Sequence, residues 1–414
     1  MSLDQPVTLP CGLLLKNRLA KASTTEQMGD CQNLPTSQQL HRAYRAWGNG
    51  GWGVVLTGNV QIDQRYFGAP HDLMIDPQLP EEKVLAAYKE LAVSCNSNGT
   101  PAIVQLNHPG RQSPMGAGKR GYFEKSIAPS AVPMDLGASA MQRFLSSLVF
   151  GTPREMTQQD IDDVVARFVY SAKIAEKAGF AGVQIHAAHG YLLAQFLSAK
   201  TNLRTDKYGG SSANRAKIVV DIIKAIRAAV QPSFCVALKL NSVDHQASLD
   251  PAASTELKDV LEQAKLICDT GVDFLEISGG SYENPVFLGD GPNTQKRSTK
   301  TLARESFFLE FAKAIRAVVP DTVLMVTGGF RTRKGMQAAI AEGSCHLIGS
   351  ARPAILRPSL PKDIINNEKV SDDDAKVMTP AVKTPWLVKH IGIKAVSAGV
   401  ESSWYYGQMK KMGG

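Results

Sequence analysis

Short β-branched runs alternate with segments of helical period along the chain, and the alternation repeats about eight times. RLAKAST (18–24), VVLTG (54–58), AIVQL (102–106), GVQIH (182–186), FCVALKL (234–240), VDFLEIS (272–278), TVLMVTG (322–328) and CHLIG (345–349) read as strands. Residues 157–179 show the helical period best. Thr157 and Asp160 make a capping box, Ile161, Val164, Val165, Phe168, Val169 and Ala172 follow at steps of three and four, and Gly179 closes the run. Val84, Tyr88, Leu91 and Cys95 form a similar stripe, as do Leu257, Val260, Leu261 and Ala264.

Eight strand-then-helix units predict a closed parallel (β/α)8 barrel, an α/β TIM barrel, over an open doubly wound sheet, because closure leaves no edge strand to protect. The barrel is expected to occupy residues 1–358. Residues 359–414 then form a C-terminal extension with a Pro-rich start, a charged stretch at SDDDAK and an aromatic end at WYYGQMKKM. This extension is expected to pack on the barrel or on a second subunit of a homo-oligomer. Gly48, Gly50 and Gly53 spell G-x-G-x-x-G, but the run follows a helix and precedes a strand, the reverse of a dinucleotide fold. It reads as a tight helix-to-strand turn at the bottom of the barrel.

Composition narrows the function classes. The 414 residues are 43% apolar and 20% charged, as in ordinary soluble globular proteins. A net charge of +8 would suit a polyanion, yet Lys and Arg are spread without a dense block, so no nucleic-acid partner is expected. No window approaches ~18 uninterrupted apolar residues, and the start MSLDQPVTLP carries no charged-then-apolar signal. A cytoplasmic protein with no membrane partner is predicted. The six cysteines include no C-x-x-C, which argues against a zinc knuckle or an iron–sulfur cluster.

The chemistry gathers at strand ends. In GVQIHAAHGYLLAQFLS (182–198) an apolar strand delivers His186, His189 and Tyr191 at its C-terminal end, where a barrel keeps its site. The other strands end in Ala22, Ser23, Thr24 and Thr25; Thr57 and Gly58; Gln105 with His108 and Arg111; Lys239 and Asn241; Ser278 and Gly279; Gly328 and Gly329; and Gly349 through Arg352. Paired glycines and an arginine on the last two strands suit a phosphate, since glycine lets backbone N–H groups approach oxygens closely. The pattern predicts a ligand with a polar head, read by Thr, Gln and Lys, and a phosphate tail.

KNRLAKASTTE, VQLNHPGRQ, HAAHGYLLAQFLS with NLRTDKYGGSSANR, and CVALKLNS together resemble the Old Yellow Enzyme family of flavin-dependent ene-reductases, the NADH:flavin oxidoreductases, from about residue 5 to residue 357. The resemblance implies a barrel holding one FMN, reduced by NAD(P)H and reoxidised by the C=C bond of a small-molecule activated alkene, an α,β-unsaturated carbonyl compound. It implies that Thr25 bonds the flavin O4, with Ala22, Ser23, Thr24 and Gly58 along the ring and Gln105 at its pyrimidine edge. Lys239 would face the flavin N1–C2=O region. Gly329, Ala351 and Arg352 would hold the phosphate. His186 and His189 would both donate to the substrate carbonyl oxygen, and Tyr191 would protonate the α-carbon. This chain departs from the pattern at Thr24, where relatives often carry methionine, at Glu26, an added acid, and at Lys239, where many carry arginine. Asp206, Tyr208, Gly209, Gly210, Asn214 and Arg215 read as a loop clamp without chemistry.

Two other readings stay open on the residues alone. A metal-dependent barrel hydrolase also uses a His-x-x-His cluster, but it needs further ligands on other strands, and Lys239 would repel the ion. A non-catalytic flavin-binding protein would keep the cradle without turnover. A dienoyl-CoA reductase of the same superfamily fits less well, because the cysteine cluster and second nucleotide domain of those enzymes are missing.

Overall fold

The computed structural model of the chain describes residues 2–136, 139–242, 255–279, 309–380, 382 and 394–412, and the side chains of all of these except 394–398. Eight parallel strands close on themselves: β1 (Leu19–Lys21), β2 (Val54–Gln61), β3 (Ala102–Asn107), β4 (Gly182–Ala187), β5 (Cys235–Asn241), β6 (Phe274–Ser278), β7 (Val323–Thr327) and β8 (Leu347–Ser350). Each pairs with its neighbours in sequence, and β8 pairs β1 to complete the ring. All eight expected strands are present. β1 is shorter than its apolar run suggested, so Ser23, Thr24 and Thr25 stand beyond it as loop.

The helices between strands include α1 (Gln38–Gly48), α2 (Glu81–Cys95), α3 (Ala140–Phe150), α4 (Gln158–Lys177), α5 (Leu192–Leu197) and α6 (Ser212–Arg227). They continue with α7 (Thr255–Cys268), α8 (309–318), α9 (Arg333–Ala341) and α10 (Arg352–Leu356). The start of α4 is the capping box read from sequence: Thr157 Oγ1 accepts from Asp160 N–H, and Asp160 accepts from Thr157 N–H at 2.8 Å. Gly179 ends the same unit with φ +91°, a conformation that costs glycine little.

Strand alternation separates two cores. Val236, Leu238 and Leu240 of β5 pack outward with the helices, while Cys235 and Ala237 face inward. Inside, Ala20, Val54, Leu56, Ile103, Phe274, Met325 and Leu347 fill the barrel, and Leu9 and Leu15 of an N-terminal hairpin (Val7–Thr8 with Leu14–Leu15) complete this cluster. Burying each large side chain of this kind contributes ~1.5–3 kcal/mol. The inward positions turn polar toward the strand ends: Gln105 and Asn107, Gln184 and His186, Lys239 and Asn241, Glu276 and Ser278.

β2 breaks its alternation. Its register against β3 shifts between Leu56 and Asn59, a bulge at Thr57 and Gly58. Gly58 N–H leaves the ladder and donates to Glu26 Oε1 at 2.8 Å. Before the bulge Val54 and Leu56 face inward; after it Val60 and Ile62 join the outer core, which turns Asn59 and Gln61 inward.

Gly48, Gly50 and Gly53 form the turn between α1 and β2, where a Cβ on Gly53 would overlap the Asn17 carbonyl. Helix α11 (Lys394–Lys411) packs on α1 and α10 and buries Tyr405 and Met409. Among the described residues no helix is long and apolar enough to cross a membrane.

Candidate active site

A cavity of about 290 Å³ opens at the C-terminal ends of the strands. Ser23, Thr24 and Thr25 beyond β1 line it, with His189 and Tyr191 beyond β4, Lys239 on β5, Gly328 and Gly329 beyond β7, and Ala351 and Arg352 beyond β8. Ala22, Gly58, Gln105 and His186 are buried and do not line it. Ala22 donates its N–H to Ser350 O at 2.9 Å, and Gly58 is the bulge held by Glu26. His108 and Arg111 serve the loop after β3 instead: Arg111 binds Val132 O and Pro133 O, and burial pushes His108 down to about 4.

One side of the cavity suits a phosphorylated cofactor. Gly328 and Gly329 have φ of +132° and +82° and line the cavity with partly exposed backbone, while Gly349 lets β8 pack closely on β7, where a Cβ would overlap Thr327 Oγ1. Among the described residues Ser23 Oγ and Thr327 Oγ1 are buried without a hydrogen-bond partner. Such orphaned oxygens are costly, and a polar ligand would satisfy them. The residues therefore fit a flavin nucleotide. Arg352 reaches the same wall and pairs with Glu401 of α11 at 2.8 Å. Glu401, Ser402, Tyr405, Tyr406 and Met409 put the C-terminal helix in the cavity wall.

Lys239 is held from below. Its ammonium lies 2.9 Å from Glu276, and both side chains are buried. Gln105 donates to Gln184 at 2.7 Å, and Gln184 donates to the other Glu276 oxygen at 2.7 Å. An ion pair at this depth tolerates burial because further hydrogen bonds occupy its carboxylate. Glu26, the acid added to the first strand's loop, is buried as well: Tyr44 hydroxyl and Gly58 N–H both donate to it, and burial raises its pKa. Lys21 opposes it, pushed down to about 8 by burial, with its ammonium on Leu56 O at 2.9 Å and over the Trp47 ring.

The histidines do not converge as two donors on one outside point. His186 Nε2 faces His189 Nδ1 at 3.0 Å, so the rings bond each other. His186 Nδ1 lies 2.9 Å from Asn107 Oδ1, and His189 Nε2 lies 3.1 Å from Ser278 Oγ. Burial, with Lys239 nearby, holds both imidazoles well below their usual pKa, so both are neutral. His189 sits at φ +59°, a strained setting for a side chain, and its N–H donates to Asn241 Oδ1 at 2.9 Å. Tyr191 Oη accepts from Asn59 Nδ2 at 3.3 Å. Among the described residues the one three-ligand cluster is Cys11, Cys235 and Asp273, around the start of β5 at the opposite end of the barrel, and no carboxylate or third histidine joins His186 and His189 in such a set.

Asn59, Gln61, Gln184 and Glu276 were not singled out from sequence. For Gln184 and Glu276 a signal exists, a polar residue on the inward phase of an apolar strand. The RTDKYGGS loop is a clamp: Arg204 binds Asp206, Pro129 O and Met156 O, and Arg215 binds Leu197 O.

A closed parallel barrel with glycine-rich loops after its last two strands, and a Tyr–His cluster across the same cavity, has the form of a barrel enzyme that takes a phosphorylated ligand. Relatives agree. The chain belongs to the NADH:flavin oxidoreductase / NADH oxidase family, the Old Yellow Enzyme family, whose sequence profile matches residues 2–370. It is 46% identical to NADH-dependent flavin oxidoreductase iccE of Talaromyces variabilis, covering 100% of this chain and 98% of that protein. It is 49% identical to NADH-dependent flavin oxidoreductase iliE of Neonectria sp. (strain DH2), over 97% of this chain but only 53% of that longer protein. The old yellow enzyme homologue of Zymomonas mobilis has the same fold, with a TM-score of 0.70 at 24% identity, covering 92% of this chain and 98% of that one.

Proposed function

We propose that this protein is an FMN-dependent ene-reductase that uses NADH to reduce the C=C bond of an activated alkene such as an α,β-unsaturated carbonyl compound. The carrying observation is that the glycine cradle and the Tyr191–His189 cluster open into one cavity. FMN, when bound, would supply the ring that accepts hydride from the nicotinamide and passes it on to the alkene. Gly329, Ala351 and Arg352 would hold its phosphate, with Ser23, Thr25 and Lys239 at the ring. The relatives named as NADH-dependent support NADH over NADPH as the donor.

The chain's own groups would handle charge and proton. As hydride reaches the β-carbon, negative charge builds on the substrate's carbonyl oxygen, and a donor already aimed there lowers the barrier. Ser278 hydroxyl stands beside His189 for that task. Tyr191 would then protonate the α-carbon, its phenol oxygen steadied by the Asn59 amide.

Anaerobic stopped-flow absorbance on the FMN-loaded protein tests the reading. NADH should bleach the flavin, and an enone or nitroalkene should restore it with ping-pong kinetics. Bleaching by NADH with reoxidation by dioxygen or quinones alone would refute the alkene assignment.

A further inference from the structure

The lysine in the cavity wall does not bring a bare positive charge with it. Lys239 lines the cavity, and Glu276 is its partner in register across the β5–β6 ladder, as His186 is across the β4–β5 ladder. Their closeness is therefore set by strand pairing and not by the swing of a long side chain. The ammonium lies 2.9 Å from Glu276 Oε1, with both side chains buried. Glu276 is held in place from behind, because Gln184 Nε2 donates to its other oxygen at 2.7 Å and Gln105 Nε2 donates to Gln184 Oε1 at 2.7 Å. Both glutamines are buried as well. Among the described residues no second carboxylate pairs with Lys239. Whichever partner holds the shared proton, the pair adds no net charge to the site.

We propose that Glu276 is a positioning residue that cancels the charge of Lys239 and so keeps the potential of the bound flavin low. The inference rests on FMN occupying this cavity, as in the ene-reductase reading. Taking up two electrons and one proton converts a flavin to an anionic reduced form, with the new charge on its N1–C2=O edge. A bare ammonium at that edge would favour the reduced form and raise the potential. An ammonium backed at 2.9 Å by a carboxylate acts as a dipole, whose field falls off faster with distance. A flavin held at low potential gives up hydride more readily, which suits weakly activated alkenes, and accepts it from NADH less readily.

The midpoint potential of the FMN-loaded full chain tests this, measured at mildly alkaline pH by equilibration with dyes of known potential. Glu276→Gln keeps the volume and an oxygen for Gln184 but removes the carboxylate. It should favour reduced over oxidised FMN by about tenfold more than wild type does, a rise of about 30 mV for a two-electron couple. Glu276→Asp keeps the charge and should leave the potential near the wild-type value. A side chain needed only for packing would be missed in both variants alike, so equal shifts, or no rise in Glu276→Gln, would overturn the proposal. Should neither variant retain FMN, the wild-type protein decides alone. It should bind reduced FMN less than about tenfold more tightly than oxidised FMN, and a larger preference would overturn the cancellation. Because a low-potential flavin favours the second half-reaction, Glu276→Gln should also bleach faster with NADH and recolour more slowly with a cyclic enone. The expected rise in potential, with no enone reoxidising either protein, would leave the charge cancellation standing and count against the ene-reductase reading.

Discussion

Asp72→Asn is the perturbation whose size the structure sets most directly. Asp72 is fully buried before the short strand Leu73–Met74, and burial, with Glu26 nearby, pushes its carboxyl up to about 7. Against an ordinary value of 3.8, ionising it inside the fold at pH 8 costs about 4 kcal/mol. The sign follows from proton counting. Near pH 4 and below, folded and unfolded chains are both protonated and nothing is lost. Between about pH 4 and 7 the folded chain keeps a proton that the unfolded chain releases, so stability falls as pH rises, and above about 7 the deficit is constant. Asparagine keeps an oxygen for Ala69 and Gln61 and carries no charge. Its amide nitrogen would occupy the place of Oδ1, which has no hydrogen-bond partner, adding a pH-independent cost of ~1–3 kcal/mol. The difference between variant and wild type should therefore shift in the variant's favour by about 2–3 kcal/mol from pH 5 to pH 8. Urea unfolding followed by tryptophan fluorescence at both pH values measures it. A difference that stays constant across that range would show that Asp72 ionises normally and would refute the reasoning.

Other substitutions probe the site. Tyr191→Phe should slow alkene reduction by about 10²–10⁴-fold while leaving flavin reduction by NADH nearly unchanged, seen by comparing the two half-reactions in stopped flow. Asn59→Leu removes the donor to the same phenol oxygen and should slow the alkene half-reaction by about tenfold, with a larger solvent deuterium isotope effect. Gly349→Ala puts a methyl against Thr327 Oγ1 and should weaken flavin retention, measured by fluorescence of released flavin, with about 1–3 kcal/mol of packing strain. Glu401→Gln frees Arg352 from a carboxylate and should tighten flavin binding by roughly fivefold, about 1 kcal/mol, in a fluorescence titration.

The barrel was legible because its signal is local and repeated. Eight apolar runs separated by helical stripes leave one economical closure, and the strand ends then name most of the cavity wall, from Ser23 to Arg352. Even the inward phase of Gln105, Gln184, Lys239 and Glu276 follows from a side-chain period of two. The bulge at Thr57 and Gly58 does not. It reverses that phase along β2, so Asn59 and Gln61, which an unbroken strand would send outward, reach Tyr191 and Asn107. The place of helix α11 in the cavity wall was likewise not written locally, because Glu401 and Tyr405 meet β8's loop only across a sequence separation of about fifty residues. Residue order determines which chemical groups arrive at the mouth of this barrel; which of them give protons and which receive them is decided only when distant strands are in register.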